Sequence, residues 1–213
     1  MVNNTKAFRL AKYAIMFATI FVAMMIDRGI SAALPISMAI CVLLVTFSFC
    51  FIQNSWVDGV LAFTFFGISS FIKAFIFPDA ITWYFKPLVY VFPRVLAGAV
   101  TFGVYRLMLL AVKKVKVQRL AQVIAMTVAV VVGLVSNTVF FLLPFSYLSE
   151  GGEGFIAAIE GLIFVNILPE YLVSILVAPH VVLGVRHGLK LGIDGNNWKR
   201  VQAEESNREK TEI

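Results

Sequence analysis

Six apolar runs, each close to the length of a bilayer crossing, divide this chain, and nothing else in the sequence constrains its fold as tightly. They cover residues 8–26, 33–52, 57–77, 88–112, 120–143 and 156–183. Asp27-Arg28-Gly29 ends the first run, Gln53-Asn54-Ser55 the second, Pro78-Asp79 the third and Pro144 the fifth. A polar-aromatic stretch over 80–87 leads into the fourth, and Glu150-Gly151-Gly152-Glu153-Gly154 precedes the sixth. A transmembrane helix needs about 20 predominantly apolar residues. The last run is longer, and a tilt or a kink at Pro169 or Pro179 accommodates it. Of the 213 residues 60% are hydrophobic and only 14% charged, with a mean hydropathy of +0.90. A soluble domain carries about 25% charge. That balance excludes a soluble enzyme, a disordered chain and a disulfide-stapled secreted domain, and one anchor helix would leave most of the apolar residues unexplained. The expected fold is an all-α integral membrane bundle of six transmembrane helices.

The cations orient it. Lys6, Arg9 and Lys12 lie before or at the start of the first run; Arg106, Lys113, Lys114, Lys116 and Arg119 lie between or near the fourth and fifth; Arg186, Lys190, Lys199, Arg200, Arg208 and Lys210 follow the sixth. Only Arg28, Lys73, Lys86 and Arg94 fall on the other side. The excess of Lys and Arg marks the cytoplasmic face, so both termini are expected in the cytoplasm. The net charge of +6 then reads as topogenic and lipid-facing rather than as a nucleic-acid footprint. The first run has no small-residue cleavage pattern and is read as a retained span, not a signal peptide. Residues 1–190 form the expected membrane domain and 191–213 a charged, solvated cytoplasmic tail.

Catalytic signatures are missing. The sequence has no Gly-x4-Gly-Lys-Ser/Thr phosphate loop, no His-Glu-x-x-His and no Gly-x-Ser-x-Gly. His180 and His187 are its two histidines, and Cys41 and Cys50, nine residues apart in one apolar run, are too far apart along a helix for a disulfide. The chain therefore reads as a non-enzyme with no metal or catalytic residue of its own. No internal repeat suggests a two-halved carrier.

Polar residues inside the runs gather at one depth. Arg94 lies ~9 Å from the outer end of its run at 1.5 Å per residue. Asn137 precedes Pro144 by seven residues, Asn166 is about ten residues into the last run, and Glu170 follows one turn deeper. Lys73 is one turn from the outer end of the third run, Trp83, Tyr84 and Lys86 precede the fourth, and Tyr90 lies in its first turn. Intramembrane ionisable groups are costly and mark function or pairing. Two readings stay open: an Arg94–Glu170 ion pair with the asparagines as interhelical glue, or an outward pocket in which Arg94, aided by Lys73 or Lys86, faces an anion. Separately, Ala7, Ala11, Ala14 and Ala18 line one face of the first helix, a small-residue stripe that packs against the chain's own helices or docks another subunit.

These features resemble the substrate-binding S component of energy-coupling factor (ECF) vitamin transporters. The resemblance rests on six short helices without an ATPase, the alanine stripe, and the turn Lys86-Pro87-Leu88-Val89-Tyr90-Val91-Phe92-Pro93-Arg94-Val95-Leu96-Ala97-Gly98. Ser136-Asn137-Thr138-Val139 and Ile167-Leu168-Pro169-Glu170 look similar to the pantothenate-type branch. The resemblance implies a bacterial, Gram-positive type cell-membrane subunit that captures a vitamin, best taken as pantothenate, from outside. It implies association with a transmembrane coupling protein and two cytoplasmic ATPases, which use the ATP, and delivery by toppling in the membrane. It further implies that Arg94 binds the carboxylate with Lys73 or Lys86 in support, and that Asn137 and Asn166 bind hydroxyl and amide groups. Tyr90 and Trp83 would line or cover the site, Glu170 would touch ligand or orient Arg94, and Ala11, Ala14 and Ala18 would dock the coupling protein. Riboflavin or another vitamin, or a stand-alone small-molecule carrier, are the alternatives.

Overall fold

The structure, a computed structural model, describes residues 5–33, 39–52, 55–77, 81, 83–112, 118–148 and 168–188. The described elements are all helical: α1 (Thr5–Ala33), α2 (Ile40–Ile52), α3 (Trp56–Ile76), a 3-10 turn (Trp83–Phe85) leading into α4 (Lys86–Tyr90), α5 (Phe92–Ala111), α6 (Gln118–Leu148) and α7 (Leu168–Gly188). Five of these segments, counting Trp83–Ala111 as one, are long and apolar enough to cross a membrane; Ile40–Ile52 is apolar but shorter. The chain is an all-α membrane bundle. The 191–213 tail and residues 156–167 of the last run lie outside the described residues.

Two helices run past their expected ends. Asp27-Arg28-Gly29 does not stop α1, which continues to Ala33. Its reason is that Asp27 turns inward, 3% exposed, and is hydrogen-bonded by backbone N–H groups of α2. Pro144 lies inside α6. One missing intrahelical bond bends a long helix more readily than it ends it when neighbouring helices hold both halves. In contrast, the fourth run is broken. Val91 N–H still bonds Pro87 O at 3.0 Å, and Arg94 and Val95 N–H both return to Val91 O at 3.1 Å. Pro93 has no N–H for the α4 carbonyl behind it, so the chain turns at Val91 and restarts as α5.

No described residue of α2 is exposed. A helix apolar on all sides belongs in the interior. It packs against α1, α3 and α7 and touches α5, while α5 packs on α3 and α6. Phe47 and Phe51 of α2 meet Phe63 of α3 (5.4 Å between ring centroids) and Tyr105 of α5 (4.8 Å). Glycines let the helices come this close: a Cβ on Gly98 would stand 2.6 Å from Phe63 Cβ, and one on Gly59 would stand 2.6 Å from the Phe102 ring. Outside, Leu10, Ile15, Val22, Leu107, Leu110, Leu172 and Leu176 are exposed. An apolar belt of this extent suits a lipid-facing wall. At one end of the bundle Lys12 Nζ pairs with Asp58 Oδ1 at 2.7 Å, joining α1 to the first turn of α3.

Candidate functional site

Three of the intramembrane charges, Asp27, Glu170 and Arg186, terminate α2. The first N–H groups and last C=O groups of a helix lack intrahelical partners, and hydrocarbon supplies none. At the N-terminus Asp27 Oδ1 and Oδ2 accept from Cys41 N–H (3.0 Å) and Val42 N–H (2.8 Å), while Glu170 Oε1 accepts from Ala39 N–H (2.6 Å). At the C-terminus Arg186 Nε donates to Ile52 O (3.1 Å) and Nη2 to Phe51 O and to Tyr105 OH (3.1 Å). Anions at the N-terminus and a cation at the C-terminus also suit the helix dipole. Removing the N-terminal pair exposes two donors at ~1–3 kcal/mol each. Asp27→Ala is therefore expected to cost about 2–6 kcal/mol, read as a lowered thermal midpoint of the detergent-purified protein. Asp27→Asn, which keeps one acceptor, should lose roughly half of that. An unshifted midpoint for Asp27→Ala would show that the cap carries no stability.

Arg94 is placed differently. The turn at Val91 sets it in the first turn of α5, and Gly67 of α3 allows the approach, since a Cβ there would lie 3.0 Å from Tyr90 O and 3.2 Å from Arg94 Cβ. The side chain is 7% exposed, with its guanidinium carbon 4.4 Å from the Phe141 ring centroid and 4.9 Å from that of Phe66. Rings on the guanidinium satisfy its π-face but not its N–H groups, which lie in its plane. Nε and Nη1 are buried without a hydrogen-bond partner among the described residues. Glu170 lies within electrostatic reach but gives Oε1 to Ala39 instead. Asn137, one turn before Phe141 on α6, also keeps a buried, unpartnered Oδ1. The adjacent Thr138 Oγ1 and Tyr171 OH share a 2.8 Å hydrogen bond that sets this turn of α6 beside the start of α7. Tyr90 is buried with its ring 5.8 Å from Phe141. A buried guanidinium with free in-plane donors, an amide acceptor one turn away and aromatic walls can hold a carboxylate at one end of a small molecule.

The structure thus brings Arg94 and Tyr90 together against Phe141, with Asn137 one helical turn before that ring. Glu170 stands nearby, occupied at α2. Lys86 Nζ donates to Ala74 O in the last turn of α3 and lies 5.0 Å from the Phe75 ring centroid, the position of a C-terminal cap. Lys73 is half-buried, within electrostatic reach of Asp27. Trp83 is 70% exposed against Tyr84, as suits an interfacial aromatic. Asn166 lies outside the described residues. Ala7, Ala11, Ala14 and Ala18 are exposed on α1, and neither cysteine is in a disulfide. His180 Nδ1 bonds Leu176 O in its own helix at 2.7 Å, and no metal-ligand cluster occurs among the described residues. Sequence reasoning missed Asp27 and Arg186 as caps and Phe66 and Phe141 as walls. Phe141 carried a signal, four residues beyond Asn137; Asp27 was hidden by its resemblance to a helix stop.

Comparison with protein-family models, with curated proteins and with solved structures finds no match to this chain.

Proposed function

We propose that this chain is the substrate-capturing membrane subunit, or S component, of an ECF-type vitamin importer, with pantothenate as its ligand. The observation that carries the reading is Arg94, a guanidinium buried in the bundle whose Nε and Nη1 have no hydrogen-bond partner among the described residues. In a membrane interior such a group is costly, and a ligand carboxylate offsets that cost in a way no described side chain does. In this reading all six apolar segments, α2 included, cross or nearly cross the membrane, with both termini in the cytoplasm. The 14 cations on one side of the runs support that orientation. Arg94 takes the carboxylate, Asn137 and Asn166 take amide and hydroxyl groups, and Tyr90 lines the site. Lys73, Lys86, Trp83 and Glu170 stand outside direct contact, holding the surrounding helices and their ends. Binding energy comes from the site alone, and transport requires an ATP-hydrolysing complex of a coupling protein and two ATPases.

Titration of the purified full chain in nanodiscs with pantothenate, riboflavin and buffer tests the ligand. Saturable one-to-one pantothenate binding is expected; saturable riboflavin binding without it would replace the vitamin, and ATP-independent uptake in proteoliposomes would make the chain a stand-alone carrier. Docking is tested apart from binding. The α1 stripe is exposed at Ala7, Ala11, Ala14 and Ala18, and small residues permit close helix approach. Ala14→Trp is expected to leave pantothenate affinity within about twofold and to cut ATP-dependent uptake by about tenfold or more, a loss of order 1.4 kcal/mol in association. Normal uptake by that variant would remove α1 from the docking face.

A further inference from the structure

Four charges from four helices are linked through the N-terminus of α2. Asp27 of α1 accepts from Cys41 and Val42 N–H, and Glu170 of α7 from Ala39 N–H. Lys73 of α3 lies within electrostatic reach of Asp27, and Arg94 of α5 within reach of Glu170. The two carboxylates are also within reach of each other. The charges balance, with a cation beside each anion.

That balance bears on what Arg94 can hold. Glu170 is fixed by its 2.6 Å bond to Ala39 N–H; letting go would leave an unmet donor at a helix end. The carboxylate therefore stays in place while Nε and Nη1 of Arg94 have no hydrogen-bond partner among the described residues. Lys73 is set by Asp27, and Lys86 Nζ is bonded to Ala74 O. A ligand at Arg94 thus meets one cation and, near it, one immobile anion. Its first negative charge is offset by the guanidinium. A second has no such partner there and is repelled by Glu170. At an effective protein dielectric of ~20, a like charge about 10 Å away changes binding by roughly 10- to 20-fold.

We infer that Glu170 is a specificity-determining residue of the Arg94 site, acting through its charge without touching the ligand, and that it restricts the site to monoanionic carboxylates. Dicarboxylates and phosphomonoesters are turned away by a like charge they cannot displace, a repulsive element of the kind specificity commonly needs. The inference rests on the reading of Arg94 as the anion-binding group. Glu170 also opposes the ligand's first charge. Affinity is thereby held below what Arg94 alone would give, which suits a subunit that must release what it captures.

Charge and cap are separable, because Glu170→Gln keeps a carbonyl oxygen for Ala39 N–H at the same reach. The probes are pantothenate, N-pantoyl-aspartate, and the latter with its added group as a carboxamide. N-pantoyl-aspartate is pantothenate with a second carboxylate on the carbon beside the amide nitrogen; its carboxamide has the same size and one charge. Hexanoate and adipate serve as a plain mono- and dicarboxylate of equal length. The full chain and its Glu170→Gln and Asp27→Asn variants are titrated in nanodiscs at mildly alkaline pH. The wild type is expected to bind the dianion at least about tenfold more weakly than the carboxamide. Glu170→Gln should bind pantothenate roughly 3- to 10-fold more tightly and narrow the dianion-to-carboxamide ratio by about tenfold. Loss of a merely structural group would weaken all three probes alike. Asp27→Asn removes a charge that reaches Glu170 but is not among those acting on Arg94, and should move the ratio by about threefold or less. A wild type that binds dianion and carboxamide equally overturns the inference and leaves the importer reading standing. So does a Glu170→Gln variant that binds pantothenate no more tightly than wild type. Equal shifts in Glu170→Gln and Asp27→Asn overturn the assignment to Glu170. If the wild type ignores every pantoyl probe but prefers hexanoate to adipate, and Glu170→Gln narrows that gap, the vitamin is wrong and the inference holds. A wild type that binds no carboxylate overturns both.

Discussion

Arg94→Ala is expected to weaken pantothenate binding by at least ~100-fold while leaving the bundle folded. Two charge-assisted hydrogen bonds are worth about 1.5–3 kcal/mol each, and a hundredfold loss needs only ~2.7 kcal/mol, so the margin is wide. The unliganded protein should not suffer, because the side chain gives its buried Nε and Nη1 no hydrogen bond among the described residues to lose. Truncation removes a desolvated charge and leaves two ring contacts at 4.4 and 4.9 Å to relax. Arg94→Lys separates charge from geometry. An ammonium keeps the charge but not the planar donors that match a carboxylate, so an intermediate loss of about tenfold is expected. Isothermal titration of the three proteins in the same nanodiscs reads both differences. Equal affinity in wild type and Arg94→Ala would move the ligand elsewhere in the bundle.

The largest structural effect belongs to a residue with no polar atoms in its side chain. Gly98→Leu should cost more than about 3 kcal/mol, the upper range for overpacking a core. The new Cβ would lie 2.6 Å from Phe63 Cβ, an atom one bond from the backbone that cannot step aside by changing rotamer. Relief requires α3 and α5 to separate, which undoes the Trp56–Phe102 ring contact between them at 5.4 Å. Loss of the monodisperse peak in fluorescence-detected gel filtration is the expected readout. Gly184→Ala is the matched control: nothing lies within 4 Å of its would-be Cβ, and the change should be neutral or stabilising by up to ~1 kcal/mol through helix propensity. A folded Gly98→Leu protein with an unchanged midpoint would mean that α3 and α5 do not meet at this glycine.

The energetic logic of α2 connects these results. A helix of 13 residues spans about 20 Å, short of a ~30 Å hydrocarbon core. Its ends therefore fall where water is scarce, and Asp27, Glu170 and Arg186 take water's place. With those charges engaged at α2, Arg94 keeps two buried in-plane donors open among the described residues, against one on Arg186. Structural use of the other charges sets Arg94 apart.

Sequence alone was enough for residence in the membrane and for the approximate places of the helices. Both follow from local quantities, the length of an apolar run and the residues that interrupt it, and α3 at Trp56–Ile76 departs from its expected bounds by one residue at each end. Local quantities also singled out Arg94, Asn137 and Tyr90, since a polar group within an apolar run is visible without any neighbour. They failed where an interruption has a distant partner. Asp27 read as a helix stop because the helix it caps begins elsewhere, and its bonds to Cys41 and Val42 span 14 and 15 residues. Lys86 and Glu170 read as ligand groups although they stand at Ala74 O and at Ala39 N–H, the latter 131 residues away. Arg186 was counted only as one more inside cation, yet it closes α2 across 134 residues. Which charge is a cap and which is free depends on how each helix is rotated about its axis and which helix lies beside it. Composition and spacing carry neither; packing around the buried α2 decided both.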